Sequence, residues 1–302
     1  MTKTKEIHPP PGIFLRTDDS LLRKENFMIE SRTHIKTGRS MRLIAMFLMA
    51  ALMLCGCKDK PKKQTDPTDA ENTPVPVHTG SGEATLSEEA GRIYQFAAPK
   101  SGDTIVKINI KKYGTICVKL FPEEAPKAVE NFTTLARQGC YDNVRIARVI
   151  ADYIVQSATA QGYQSSIYGG SFEQETSERL KPARGALCMA DTGEEGTVTT
   201  CFYFVATKPS TIQGISEPLD ARYQMTFQEY LQEAYNTKMS EEDVQFYYTY
   251  GGAPWLYGHQ TVFGQIYDGF DVLDSICEAR VTSKCVPNPG IFIESITVET
   301  LQ

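Results

Sequence analysis

Histidine is scarce in this chain of 302 residues, and its scarcity removes much of the usual catalytic repertoire. Of the four, His8, His34 and His78 precede the first strand-like segment, leaving only His259 beyond it. A multi-histidine metal site is therefore not available, and a Ser-His-Asp triad would have to use His259. No Gly-x-Ser-x-Gly elbow surrounds any serine, and neither a phosphate-cradling loop nor Gly-x-Gly-x-x-Gly occurs. No Cys-x-x-Cys pair occurs either. Basic charge is also in deficit, with 31 Lys and Arg against 37 Asp and Glu, which argues against nucleic acid as a partner. Glycine and proline are too few for a fibrous chain. With 41% apolar and 23% charged residues, a packed core is expected.

Long apolar runs are missing too, apart from Leu43 to Leu54. As a helix those twelve residues would rise about 18 Å, short of a bilayer core of about 30 Å. Met41-Arg42 precedes the run and Cys55-Gly56-Cys57 follows it. A charged start, a short apolar stretch and small residues before a cysteine describe a secretory signal. Leu54-x-Gly56-Cys57 resembles a bacterial lipobox, with Cys57 the lipidated residue. Residues 1–40 then read as an upstream extension, with Met41 the expected biological start and 41–57 the signal. Residues 58–101 are rich in Lys, Pro, Thr, Asp and Glu without apolar periodicity, and read as a flexible tether. Beyond Cys57 the chain holds 32 acidic and 22 basic residues.

Residues 102–302 read as one domain. Ile-Val-Lys-Ile-Asn-Ile from Ile105 and the alternation through Ile116, Val118 and Leu120 predict a hairpin with one buried side. Pro126 opens a helix carrying Val129, Phe132 and Leu135, and Gly139 closes it. Strands are expected over 145–150, 153–156, 186–190, 201–206, 261–266 and 291–299, with a second helix over 270–277. Many short strands with two helices suggest a closed antiparallel β-barrel with helical plugs, a mainly β fold. Residues 208–253 break the rhythm. Thr226-Phe-Gln-Glu229 is a capping box, and Ser240-Glu-Glu-Asp243 looks like a second helix start. The reading is a helical insertion. Its rings, among them Tyr223, Phe227, Tyr230, Tyr235, Phe246, Tyr247 and Tyr248, exceed what two short helices need. Such aromatics most often form a small satellite core that buttresses the domain; the other reading is that some are exposed beside the cleft to receive an unfolded client. The six cysteines beyond residue 57 could oxidise in an exported protein, but buried strand thiols are the simpler reading.

Several segments together resemble the cyclophilins, the barrel-type peptidyl-prolyl cis-trans isomerases, over about 104–300 apart from the insertion. Phe121-Pro-Glu-Glu-Ala-Pro-Lys-Ala-Val-Glu-Asn-Phe132 is similar to the family's first strand-to-helix passage. Arg184-Gly-Ala-Leu-Cys-Met-Ala190, Phe202-Tyr-Phe-Val205 and Trp255-Leu-Tyr-Gly-His-Gln-Thr-Val-Phe-Gly264 resemble three more of its segments. The catalytic strand keeps Arg148 and Gln156 at the family spacing. It replaces the family's Phe-His by Ile146-Ala147 and its Gly-Gly-Asp by Ser157-Ala158-Thr159. The resemblance implies Arg148 and Gln156 as catalytic residues. It implies a substrate pocket of Tyr153, Ile154, Ala190, Asp191, Cys201, Tyr203, Trp255, Leu256 and Gln260, where Gln260 stands in place of a frequent His.

What the resemblance implies is a prolyl isomerase with no metal and no cofactor, acting as a monomer on proline-containing unfolded or extended polypeptides. With a lipid anchor at Cys57 it would work in the bacterial cell envelope, facing the periplasm or the cell surface. The alternative is a weakly active or inactive module that binds prolyl peptides, since the Phe-His and Gly-Gly-Asp positions depart from the family.

Overall fold

The computed structural model describes residues 93–162, 166–193 and 196–302, without the side chain of Arg222. Cys57 and the signal, the upstream extension and most of the tether lie outside them.

Strands β1 (Thr104–Ile110) and β2 (Gly114–Leu120) form the expected hairpin, with Val106 opposite Val118 and Ile108 opposite Ile116. Helix α1 (Pro126–Arg137) follows, then β3 (Ile146–Ile150), β4 (Ile154–Ser157), β5 (Phe172–Glu173), β6 (Ala186–Asp191) and β7 (Thr197–Val205). Three insertion helices come next: α2 (Pro209–Tyr223), α3 (Phe227–Tyr235) and α4 (Glu241–Tyr250). A 3-10 turn at Pro254–Leu256 leads to β8 (Val262–Asp268), α5 (Phe270–Cys277) and β9 (Ile293–Thr300). The sheet runs β3-β4-β7-β6-β8-β2-β1-β9, with β5 against β7 and every neighbour antiparallel.

The expected closed barrel is corrected to a curled, half-barrel sheet. Its ends, β3 and β9, form no ladder. They meet at one isolated bridge, Arg145 with Phe292, flanked by Ile146 N–H to Ile291 O and Ile293 N–H to Val144 O, both 2.8 Å. Pairing stops because extended geometry ends on both sides: Asn143 adopts a left-handed φ of 57°, and Pro289 has no N–H to donate.

The concave face holds the main core. Phe132 from α1 packs on Tyr141, Phe202 and Phe263, each ring pair 5.3 Å apart. Period-2 alternation sends every second side chain to the other face, where a separate apolar cluster forms. That second face is where the candidate site sits.

Two further expectations change. The insertion holds three helices. Both capping boxes form, at Thr226/Glu229 and Ser240/Asp243. Helix α2 was missed because it has no side-chain N-cap and carries Pro218 in its interior. The packed domain also starts before 102. Gln95 is buried, donating to Lys181 O at 2.8 Å and Gln265 Oε1 at 2.9 Å and accepting from Lys181 N–H at 2.9 Å. Phe96 stacks on Phe246 at 5.7 Å and meets Tyr250 at 5.0 Å. The segment 93–97, read as the end of a tether, thus straps the barrel to α4.

This extra helix and strap account for the insertion's aromatics. Phe227, Tyr230 and Tyr247 are buried, and the other four rings of that set are half-buried. The exposed large apolar side chains among the described residues are Tyr168, Val281 and Phe292, none of them in the insertion. The strap's Phe96 meets Phe246, and Phe227, Tyr230, Tyr235, Tyr247 and Tyr248 pair with other rings of the insertion or with Trp255.

Candidate active site

The site is built by strand register. Arg148 on β3 stands opposite Gln156 on β4, Gln156 opposite Tyr203 on β7, and Tyr203 opposite Cys188 on β6. Directly opposed residues in antiparallel strands share a face, so these four form one row across the second face. Ile154, Ala190, Cys201, Ala186 and Val205 each lie two residues away on the same strands, hence on the same side. Tyr153, in the turn before β4, joins the cluster with Ile154, Ala190, Tyr203 and Val262, and Trp255, Leu256 and Cys201 pack on its edge.

The polar groups divide into two kinds. Some are fully engaged. The Tyr203 hydroxyl donates to Gln260 Oε1 at 2.9 Å, and Gln260 Nε2 donates to Asp191 Oδ2 at 2.9 Å. Gln174 Nε2 donates to the other carboxylate oxygen, Asp191 Oδ1. The chain is directional: each donor is fixed by the acceptor beyond it, which sets the Gln260 amide in one orientation. Burial pushes the Tyr203 phenol well above its ordinary range, so it stays protonated and donating. Burial also raises Asp191, opposed by the hydrogen bonds from Gln260 and Gln174. Trp255 Nε1 donates to the Tyr153 hydroxyl at 3.3 Å, with the two rings 5.6 Å apart. Tyr235 of the insertion backs Trp255 at 6.1 Å, and Thr237 Oγ1 donates to Trp255 O at 3.5 Å.

Arg148 and Gln156 are the other kind. Among the described residues, the Arg148 guanidinium makes no ion pair and no side-chain hydrogen bond, although the residue is half-buried. The Gln156 amide, on a buried residue, likewise has no partner among them. The two residues stand opposite each other beside the apolar floor, a rigid five-donor fork and an amide with no partner among the described residues.

Every pocket residue expected from the sequence is on this face or at its edge. His259 is exposed and takes no part. Sequence reasoning missed Gln174, which has no local motif and is brought to Asp191 by the pairing of β5 with β7. It also missed Cys188, Ala186 and Val262 as the apolar floor. The thiols offer no nucleophile at neutral pH: burial pushes Cys188 up to about 12 and raises Cys201, the latter opposed by a hydrogen bond with Thr159. No cluster of His, Cys, Asp or Glu among the described residues could hold a metal ion.

The family model described as "Cyclophilin type peptidyl-prolyl cis-trans isomerase/CLD" matches residues 105–229 and 226–298. The chain belongs to the cyclophilin-type peptidyl-prolyl cis-trans isomerases. The two matched pieces meet within the insertion, which interrupts the cyclophilin domain rather than extending it. A Staphylococcus aureus (strain USA300) protein named "Putative peptidyl-prolyl cis-trans isomerase" is 37% identical over 204 residues, 66% of this chain and 94% of that protein. A Staphylococcus haemolyticus protein of the same name is 36% identical over 190 residues, 62% of this chain and 87% of that one. A crystal structure of a Cryptosporidium parvum cyclophilin type isomerase aligns with TM-score 0.48 at 23% identity, covering 66% of this chain and 99% of that one.

Proposed function

We propose that the second face of this cyclophilin isomerises prolyl bonds, with Arg148 as the donor that acts on the twisted imide and Gln156 as the group that holds the substrate backbone. The supporting observation is the opposed, unengaged Arg148–Gln156 pair. A prolyl imide turns slowly because C–N resonance imposes a barrier of about 18–20 kcal/mol. Rotation breaks that resonance and leaves a lone pair on the prolyl nitrogen. A fixed cationic donor aimed at that nitrogen favours the twisted state over either planar one, which is the condition for catalysis. The pyrrolidine ring rests on Tyr153, Ile154, Tyr203 and Leu256, with Ala190, Cys201 and Trp255 at the sides. Gln156 fixes one side of the bond so that the other turns. The reaction breaks no σ bond and moves no proton, so it asks nothing of the buried thiols. Gln260 and Asp191 hold the Tyr203 wall in place.

The cellular role we propose is folding of exported polypeptides in a bacterial cell envelope, by a monomer lipid-anchored at Cys57 and facing the periplasm or the cell surface. Met41-Arg42, the Leu43–Leu54 run and Leu54-x-Gly56-Cys57 support it, as does the polar stretch that follows. No helix among the described residues is long and apolar enough to cross a membrane. A tether over 58–92 behaving as a coil would span about 30 Å.

The deciding experiment measures cis–trans exchange of a prolyl tetrapeptide by NMR with the full chain. Catalysed exchange is expected. Peptide binding without faster exchange would leave a prolyl-binding module. Cys57→Ser should move the protein out of the membrane fraction; retention there would remove the anchor.

A further inference from the structure

Away from the prolyl face, the three insertion helices enclose a cleft of about 360 Å³. Its floor is apolar, with Phe227 and Val244 buried and Tyr248 half-buried. Its rim carries Glu217, Asp220 and Glu241, all exposed, and no Lys or Arg among the described side chains lines it. We propose that this cleft binds a cationic stretch of unfolded client polypeptide, one in which Lys or Arg flanks an aromatic or aliphatic side chain.

The carboxylates are not equal evidence. Glu241 lies in the first turn of α4, where a negative charge complements the helix dipole, so its presence has a local explanation. Glu217 and Asp220 are not in a first turn and have no such explanation. They are one turn apart on α2, a like-charge pair that disfavours the helix, and Asp220 lies in its last turn, at the negative end of the dipole. Neither makes an ion pair among the described residues. A sequence that keeps such a pair against local stability, over an apolar floor, has a cation to receive. The volume takes an apolar side chain with its neighbours, and the Tyr248 ring can face an ammonium or guanidinium group. The chain beyond Cys57 is acidic overall, which adds attraction at longer range.

The insertion is rooted between β7 and the Pro254–Leu256 turn, both of which build the prolyl face. A client held in the cleft is therefore held by the element that joins those two walls, and tethering would raise the local concentration of its prolines. The inference stands whether or not the prolyl reading does, because its test uses a peptide without proline.

The test is fluorescence anisotropy of a labelled heptapeptide alternating Lys with Phe and Leu, titrated with the full chain at low salt. An otherwise identical peptide with Glu for Lys is the comparison. Expected are salt-sensitive binding of the basic peptide and none of the acidic one. Glu217→Gln with Asp220→Asn should weaken binding about tenfold, and Glu217→Lys with Asp220→Lys should abolish it, with tetrapeptide isomerisation unchanged throughout. Equal binding of both peptides, or full binding by the neutralised variant, overturns the proposal. So does displacement of the peptide by a short prolyl substrate, which would put it on the prolyl face. Self-association of the chain without peptide, lost in the neutralised variant, would assign the cleft to a second copy and overturn it equally.

Discussion

Replacing Arg148 by alanine should separate catalysis from stability, because its side chain makes no hydrogen bond or ion pair among the described residues. Its guanidinium makes no ion pair or side-chain hydrogen bond among the described residues, and β3 is held to β4 through the backbone. Truncation removes no hydrogen-bond or ion-pair partner among the described residues. The expected change in unfolding free energy is within about 0.5 kcal/mol, the range of an ordinary surface substitution. The expected change in rate is far larger. Deleting one preorganised donor to a developing charge costs about 2.7–4 kcal/mol of transition-state stabilisation. Arg148 is half-buried rather than sealed from water, so the lower end applies, a loss of kcat/KM of about 10²-fold. Arg148→Lys keeps the charge and loses the planar fork, so it should fall between the two. Exchange of a prolyl tetrapeptide followed by NMR gives the rates, and urea melts of the same samples give the stabilities. A well-folded Arg148→Ala protein with unchanged kcat/KM would refute the role. A protein that loses rate only because it has unfolded would refute the claim that Arg148 has no structural duty.

Three other outcomes follow from the packing. Tyr247→Phe should stabilise the protein by about 1 kcal/mol in urea melts, since the Tyr247 hydroxyl is buried with no hydrogen-bond partner among the described residues; destabilisation would mean that the hydroxyl is satisfied. Gly185→Ala should cost about 2–5 kcal/mol, because Gly185 has φ +82° and an added Cβ would lie 2.6 Å from the Phe270 ring and 2.7 Å from Gln265; a melting temperature near that of the parent would contradict it. Asp191 is raised by burial, so the folded protein holds its proton more tightly than the unfolded chain does. As pH rises from the ordinary carboxylate value of about 3.9 through the raised folded value, its ionisation costs stability, and the cost persists to neutral pH. Asp191→Asn should therefore gain on the parent across that window in a pH series of urea melts and hold the gain above it, whereas a gain that shrinks with rising pH would reverse the sign.

The insertion shows where composition misleads. One reading of its seven aromatics left some rings exposed, on the assumption of two helices. Helix α2 carries Pro218 and no side-chain cap, so nothing local announces it, and the strap at 93–97 lies more than a hundred residues away in sequence. The strap meets Phe246, and the other paired rings meet one another or Trp255. Replacing residues 210–250 by a short Gly/Ser linker would strip Tyr235 and Thr237 from Trp255 and Phe246 from Phe96. It should lower the melting temperature and impair tetrapeptide and protein substrates together. Loss confined to the protein substrate would restore the exposed-platform reading.

Local sequence was enough wherever one element carries its own instructions. Alternation set the β1–β2 hairpin, Pro126 and the spacing of Val129, Phe132 and Leu135 set α1, and the two capping boxes set α3 and α4. Arg148 and Gln156 could be picked out only through the resemblance of their segment to the cyclophilin catalytic strand, and the β3–β4 register then sets them opposite each other. Only the tertiary structure decided that the sheet curls without a ladder between β3 and β9, that Gln174 reaches Asp191, and that the Arg148 fork finds no partner among the described residues. Each depends on groups far apart in the chain, whose meeting is fixed by the register and curvature of the whole sheet rather than by any window of neighbouring residues.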